Sequence, residues 1–140
     1  MSGSKKFFID TNIFLRYFVK EEKQTFKDCL EFFDKIKNKE ITAATSAIVL
    51  LEINYVLITF YKYPKDKACK IIASIINLQG LKFINDINQL TAIELYKEKN
   101  VKFADCLIAS ILLDKSDYSL VSYDHDFDKL EIKRFEPQEI

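Results

Sequence analysis

Histidine occurs once in this sequence, at His125, and tryptophan not at all; glycine and proline occur only at Gly3, Gly80, Pro64 and Pro137. With so little punctuation the 140 residues show no linker, repeat or low-complexity tract. Their number suits one domain with a sizeable core. Cys29, Cys69 and Cys106 are odd in number, far apart and without a Cys-x-x-Cys pair. That suggests neither a disulfide framework nor a zinc knuckle, and it fits a reducing, intracellular setting, expected to be the cytoplasm. Neither sign of charge is in excess, since Lys+Arg and Asp+Glu both number 21. Overall charge therefore gives no support to a nucleic-acid partner, and a local patch would have to carry one. Residues 1–4 lack the apolar centre of a signal peptide and read as an appended tag or a disordered end, with the domain spanning 5–140. The most apolar run, Ser46 to Tyr61, is 16 residues long and is interrupted by Glu52 and Asn54, so no membrane span is expected.

What is present is an alternation of short apolar runs and helical patterns. Strands are expected at Lys6 to Ile9, Ile41 to Thr45, Leu81 to Ile84, Ser119 to Tyr123 and Ile132 to Phe135. Between them lie helical patterns. Glu22 to Asn38 places Phe26, Cys29, Leu30 and Phe33 on one side. A nearly all-apolar helix follows a Ser46 cap and should be buried on more than one side. A third helix opens near Pro64, carries the stripe Ala68, Ile71, Ile72, Ile75 and Ile76, and ends at Gly80. A fourth, capped by Asp86, runs to about Lys99, and a fifth spans Phe103 to Leu113. Strands alternating with helices predict an α/β fold with a parallel sheet covered on both faces.

Four acids stand alone in segments that carry no other charge. Asp10 is the single charge in FFIDTNIFL, Glu52 in Ser46 to Tyr61, Asp105 in Phe103 to Leu113, and Asp124 in Ser119 to Asp124. An ionised carboxylate taken out of water costs several kcal/mol unless something pairs with it. Asp10 and Asp124 fall at the C-terminal ends of expected strands, and Asp105 falls in the first turn of an expected helix. All three therefore face the sheet edge where open α/β folds bind ligands. Glu52 is long enough to reach inward from its helix. Four converging carboxylates repel one another and raise some of their own pKa values. A hard divalent cation, Mg²⁺ or Mn²⁺, one ion or two, relieves that repulsion. Plainer readings stand beside this one. Asp10 and Asp124 could cap helices, Asp105 could simply favour a helix dipole, and Glu52 could pair with a lysine or arginine. Asp126 and Asp128 read as surface acids, His125 as a turn residue, and Cys106 as a packing thiol. No Ser-His-Asp arrangement is present.

Taken together, FFIDTNIFL, Leu51-Glu52-Ile53, Phe103-Ala104-Asp105-Cys106-Leu107-Ile108-Ala109 and Leu120 to Phe127 resemble, in order and spacing, the four motifs of PIN domains. The likeness covers nearly all of Lys5 to Glu136. It implies a three-layer α/β/α sandwich with a central parallel sheet of four to five strands. It implies a metal-dependent ribonuclease cutting single-stranded or structured RNA, whose Mg²⁺ or Mn²⁺ is held by Asp10, Glu52, Asp105 and Asp124, with Asp124 preferred over Asp126 and Asp128. Small members of this kind are often VapC-like toxins that dimerise and are inhibited by a small antitoxin. In such an enzyme Glu52 ligates or acts as general base, Thr11 and Asn12 hold substrate or orient Asp10, and Ser122 orients Asp124. Arg16, Lys20 and Lys102 are candidate RNA contacts, with solvated surface charge as the plain alternative. An inert protein-binding module, a nuclease outside a toxin–antitoxin pair, a DNA nuclease and a phosphatase are the other classes. A phosphatase of the haloacid dehalogenase type is disfavoured because its second aspartate position is Asn12.

Overall fold

The computed structural model describes residues 5–140, so the expectation for residues 1–4 lies outside the described residues. Five strands, β1 (Lys5–Ile9), β2 (Ile41–Thr45), β3 (Leu81–Phe83), β4 (Tyr118–Val121) and β5 (Arg134–Phe135), form one sheet in the order β3-β2-β1-β4-β5. Every pairing is parallel. Six helices flank it: α1 (Thr11–Val19), α2 (Lys23–Lys37), α3 (Ala47–Thr59), α4 (Lys65–Ile76), α5 (Gln89–Glu98) and α6 (Phe103–Asp114). The result is the expected α/β/α sandwich. Successive side chains of a strand point to opposite faces. Phe7, Phe8 and Ile9 of β1 are all buried, so both faces of the central strand are covered. On one face, Phe7 meets Phe32 of α2 and Phe135 of β5 edge-on, at 6.4 and 6.0 Å between ring centres. None of the described helices is long and apolar enough to cross a membrane.

The chain lays β1, β2 and β3 outward in one direction, then returns to the far side of β1 with β4. The reversal falls between β1 and β4, and loops leaving those strands open a crevice there. Ile9 sits opposite Val121 in the register, and the Asp10 amide donates to the Val121 carbonyl at 3.0 Å. The loop after β1 and the loop after β4 are thereby pinned side by side.

Several boundaries differ from the sequence expectation. Helix α4 stops at Ile76, and Gly80 instead makes the turn into β3 with φ +90°. A side chain there would be strained by that φ and would press on Ile36. Asn88, not Asp86, caps α5, accepting from the Thr91 amide at 3.0 Å, while Asp86 faces Lys115 at 3.5 Å. Strand β4 ends at Val121, so Asp124 lies three residues beyond the strand, in the loop. Helix α3 is not buried all round: Val49, Ile53 and Leu57 face the core while Leu51 and Tyr55 are exposed. One layer of helix over a sheet covers one helical face, and an apolar opposite face does not change that. Ile76 of α4 is exposed for the same reason.

Candidate metal and catalytic site

Asp10 precedes α1 in the N-cap position, but its carboxylate makes no capping bond. The hydroxyl of Ser122 donates to Asp10 Oδ2 at 2.7 Å, and Asn12 Nδ2 donates to the same oxygen at 3.2 Å. Asn12 also donates to Ser122 Oγ at 3.1 Å and accepts from the Tyr123 amide at 3.0 Å. The Asp-Thr-Asn triplet thus buckles the β1 loop to the β4 loop through side chains, which accounts for its polar residues inside an apolar segment. Ser122 was expected to orient Asp124 but holds the Asp10 carboxylate instead, reaching Asp124 only through the latter's backbone amide at 3.0 Å. Thr11 likewise turns away from Asp10 and donates to Glu52 Oε1 at 3.0 Å.

Asp10, Glu52, Asp105 and Asp124 line one cavity of about 190 Å³, together with Thr11, Asn12, Leu15, Val56 and Lys102. Asp105 stands at the third position of α6 and is 2% exposed. Its Oδ2 is, among the described residues, the buried side-chain oxygen left without a hydrogen-bond partner. A buried acceptor of that kind is costly and calls for a ligand. One oxygen each of Asp105, Asp124 and Asp126 lies within 4.8 Å of the others. That spacing brings Asp126 into the cluster beside the preferred Asp124. Asp128 stands apart, held by Arg134 Nε at 3.0 Å and facing His125 Nδ1 at 3.3 Å. Asp124 also keeps its plain role, since its Oδ1 accepts from the Asp126 amide at 2.9 Å and caps the short 3-10 helix His125–Leu130.

Burial is the largest influence on the two enclosed acids. It raises Asp10 to about 6, against the pull of the Ser122 hydroxyl and the Thr11 backbone amide and with help from Glu52 and Asp124. It raises Asp105 to about 7, countered by Lys102 and reinforced by Asp10, Asp124 and Glu52. Repulsion among the acids therefore contributes as expected, but second to desolvation. Lys102 is the one expected basic residue that lines the cavity, with Nζ 4.0 Å from Glu52 Oε2. Burial lowers its pKa, yet Asp105, Glu52, Asp124 and Asp10 together carry it above the ordinary lysine value. Arg16 and Lys20 do not line the cavity: Arg16 faces Glu21 at 3.8 Å, and Lys20 ends α1 with its ammonium 5.1 Å from the Phe26 ring.

Sequence reasoning missed Arg134. Its guanidinium donates to the Ser122 carbonyl at 3.0 Å, to Asp128 at 3.0 and 3.3 Å and to Glu136 at 3.3 Å. It also meets His125 Nδ1 at 2.9 Å. It fastens β5 to the loop that carries Asp124 and Asp126. Two adjacent charged residues, Lys133 and Arg134, between Ile132 and Phe135 were the available signal.

The donor set offers carboxylate oxygens and no histidine or thiol, and one of those oxygens is buried and orphaned. It fits a hard divalent ion such as Mg²⁺ or Mn²⁺.

A parallel α/β sandwich with acids gathered at the switch point describes a class, and the family comparison makes it specific. The PIN domain family model matches residues 7–133, and the chain belongs to that family. Solved structures of VapC toxins share the fold. VapC20 of Mycobacterium tuberculosis, described as a sarcin-ricin loop cleaving toxin, superposes with a TM-score of 0.69 at 17% identity, covering 90% of this chain and 95% of its own. VapBC2 of Rickettsia felis, bound to a DNA fragment from their promoter, gives 0.64 at 22% identity over 94% and 98%. FitAcB of Neisseria gonorrhoeae gives 0.67 at 14% identity over 96% and 99%. No curated protein matches the sequence significantly.

Proposed function

We propose that residues 5–140 form a single metal-dependent endoribonuclease domain acting in the cytoplasm as the toxin of a toxin–antitoxin pair. The observation that carries this is the orphaned Oδ2 of buried Asp105, in a cavity it shares with Asp10, Glu52 and Asp124, in a chain of the PIN family. The likeness to a toxin named for cleaving the sarcin-ricin loop supports RNA as substrate. The likeness to VapBC2 and FitAcB supports a small antitoxin as partner. The exposed apolar residues Leu51 and Tyr55, on one face of α3, support a homodimer.

Asp105, Asp124 and Asp126 would hold a Mg²⁺ or Mn²⁺ ion, with Asp10 and Glu52 completing the shell or holding a second. A bound divalent ion supplies Lewis-acid neutralisation of phosphate charge and acidification of water. The chain's own contributions are positional. Ser122 and Asn12 fix the Asp10 carboxylate, and Thr11 fixes one oxygen of Glu52, whose other oxygen, facing Lys102 Nζ at 4.0 Å, would take the attacking water's proton. Lys102 places a positive charge at the cavity wall, where it opposes repulsion between the acids and an incoming phosphate.

The test is incubation of the purified protein with a mixed single-stranded RNA pool in Mg²⁺, in Mn²⁺ and in EDTA, beside Asp105→Asn. Metal-dependent cleavage that the variant loses establishes the reading. If wild type cleaves nothing and a Mn²⁺ titration by calorimetry gives no heat, the chain is an inert binding module and the reading is wrong.

A further inference from the structure

A second, open groove of about 440 Å³ borders the acidic cavity and shares Lys102 with it. Its walls are Tyr96, Asn100, Val101, Lys102, Asp126 and Lys129. Tyr96 lies in the last turn of α5. Its ring is braced edge-on by Phe103, 5.4 Å away at 71°, and Tyr96 is still 47% exposed. Lys129 Nζ is 3.3 Å from Asp126 Oδ1 and 3.4 Å from the Asn100 carbonyl, two other residues of the groove wall. Asp126 joins the groove to the carboxylate cluster.

A phosphodiester strand entering the acidic cavity must continue on at least one side of the phosphate to be cut. The groove offers what a strand needs there: an open aromatic ring on which any base can stack, and two ammonium groups to follow the backbone. Arrangements of this sort favour unstacked nucleotides, because a base lying on a tyrosine cannot also lie in a duplex. We propose that this groove binds an unpaired nucleotide of the RNA strand adjoining the phosphate to be cleaved, its base on Tyr96 and its backbone phosphate between Lys102 and Lys129. The proposal rests on the ribonuclease reading and adds to it the place where the nucleotide beside the scissile phosphate lies.

The experiment is fluorescence anisotropy of a labelled twelve-nucleotide RNA of mixed sequence, single-stranded or annealed to its complement, in Ca²⁺. A 2-aminopurine version of the same RNA reports base stacking. Wild type, Tyr96→Ala, Tyr96→Phe and Lys129→Gln are compared, with thermal melts to verify folding. Expected are tighter binding of the single strand than of the duplex, a loss of about tenfold in Tyr96→Ala together with the 2-aminopurine quench, and retention within about twofold in Tyr96→Phe. Lys129→Gln should lose about threefold and show a shallower salt dependence. Unchanged binding in folded Tyr96→Ala, or equal binding of duplex, overturns the groove proposal alone if wild type still binds and cleaves RNA. If wild type binds neither form, the groove proposal falls, and the ribonuclease reading stands or falls by the metal-dependent cleavage assay.

Discussion

Asp105 and Asp128 are the same residue in two neighbourhoods. Asp105 is enclosed at the start of α6 with an oxygen that nothing satisfies, and burial lifts it to about 7. Asp128 is half exposed on the 3-10 helix, and its hydrogen bonds to Arg134 draw its pKa below the ordinary value. One carboxylate has been removed from water without a cation bonded to it, and the other has a bonded cation and keeps its water. Asp128 has its countercharge within the fold. Asp105 acquires one only from outside it, since Lys102 approaches Glu52 without bonding Asp105. An acid's part in this protein follows from that difference rather than from its place in an acidic stretch.

The sharpest way to break the comparison is Asp105→Asn. Calorimetry should show Mn²⁺ affinity falling by at least about a hundredfold and RNA cleavage lost, while the metal-free variant gains about 1–3 kcal/mol at pH 8 in urea unfolding. A destabilised Asn variant would mean that the carboxylate is structural.

A pH series sharpens the same contrast. For an acid whose folded pKa exceeds its unfolded value near 3.8, the native state holds the proton more tightly. Stability is then greatest below that value and declines as pH rises through the folded pKa. In EDTA, the contribution of Asp10 and Asp105 should therefore decline between about pH 4 and 8, through about 6 and about 7. Saturating Mn²⁺ should flatten the decline, and metal binding near pH 7 should release protons, seen as heats that vary with the buffer.

Arg134→Met tests the satisfied side. It strips partners from Asp128, Glu136 and the Ser122 carbonyl at once, and should cost about 2 kcal/mol and several-fold in Mn²⁺ affinity, because the loop bearing Asp124 and Asp126 loses its anchor. Ser122→Ala removes one donor to Asp10, with a loss of about 1 kcal/mol and a further rise in the Asp10 pKa, readable by NMR titration. Asp128→Asn should be the mildest, under about 1 kcal/mol and without effect on Mn²⁺ affinity, as an exposed ion pair contributes little.

Much of this arrangement was legible in the chain itself. A lone acid in an apolar run announces itself, and that signal located Asp10, Glu52, Asp105 and Asp124, all of which line the cavity. Strand–helix alternation was equally readable, because buried parallel strands are short apolar runs with little competing signal. What escaped were pairings made across the fold. Ser122 is two residues from Asp124 in sequence, which suggested the wrong acid; the strand register brings it against Asp10. Asp126 and Asp128 look alike in sequence and differ because the 3-10 helix sets them toward different partners, the carboxylate cluster and Lys129 for one and Arg134 for the other. The burial of α3 was overestimated because its composition does not say how many layers lie above it.

The bond between Ser122 and Asp10 joins residues 112 positions apart. β1, the first of the five described strands in sequence order, needs β4, the fourth, before its acid is held in place. Until the tunnel has released the segment beyond Ser122, Asp10 has neither its hydroxyl donor nor Asp124 and Asp126 for company. A translation product cut short anywhere before that segment carries the opening motif and no centre. The order of the strands in the sheet thus acts as a delay: the acid of the opening motif gains its partners only once the residues through Asp126 are present.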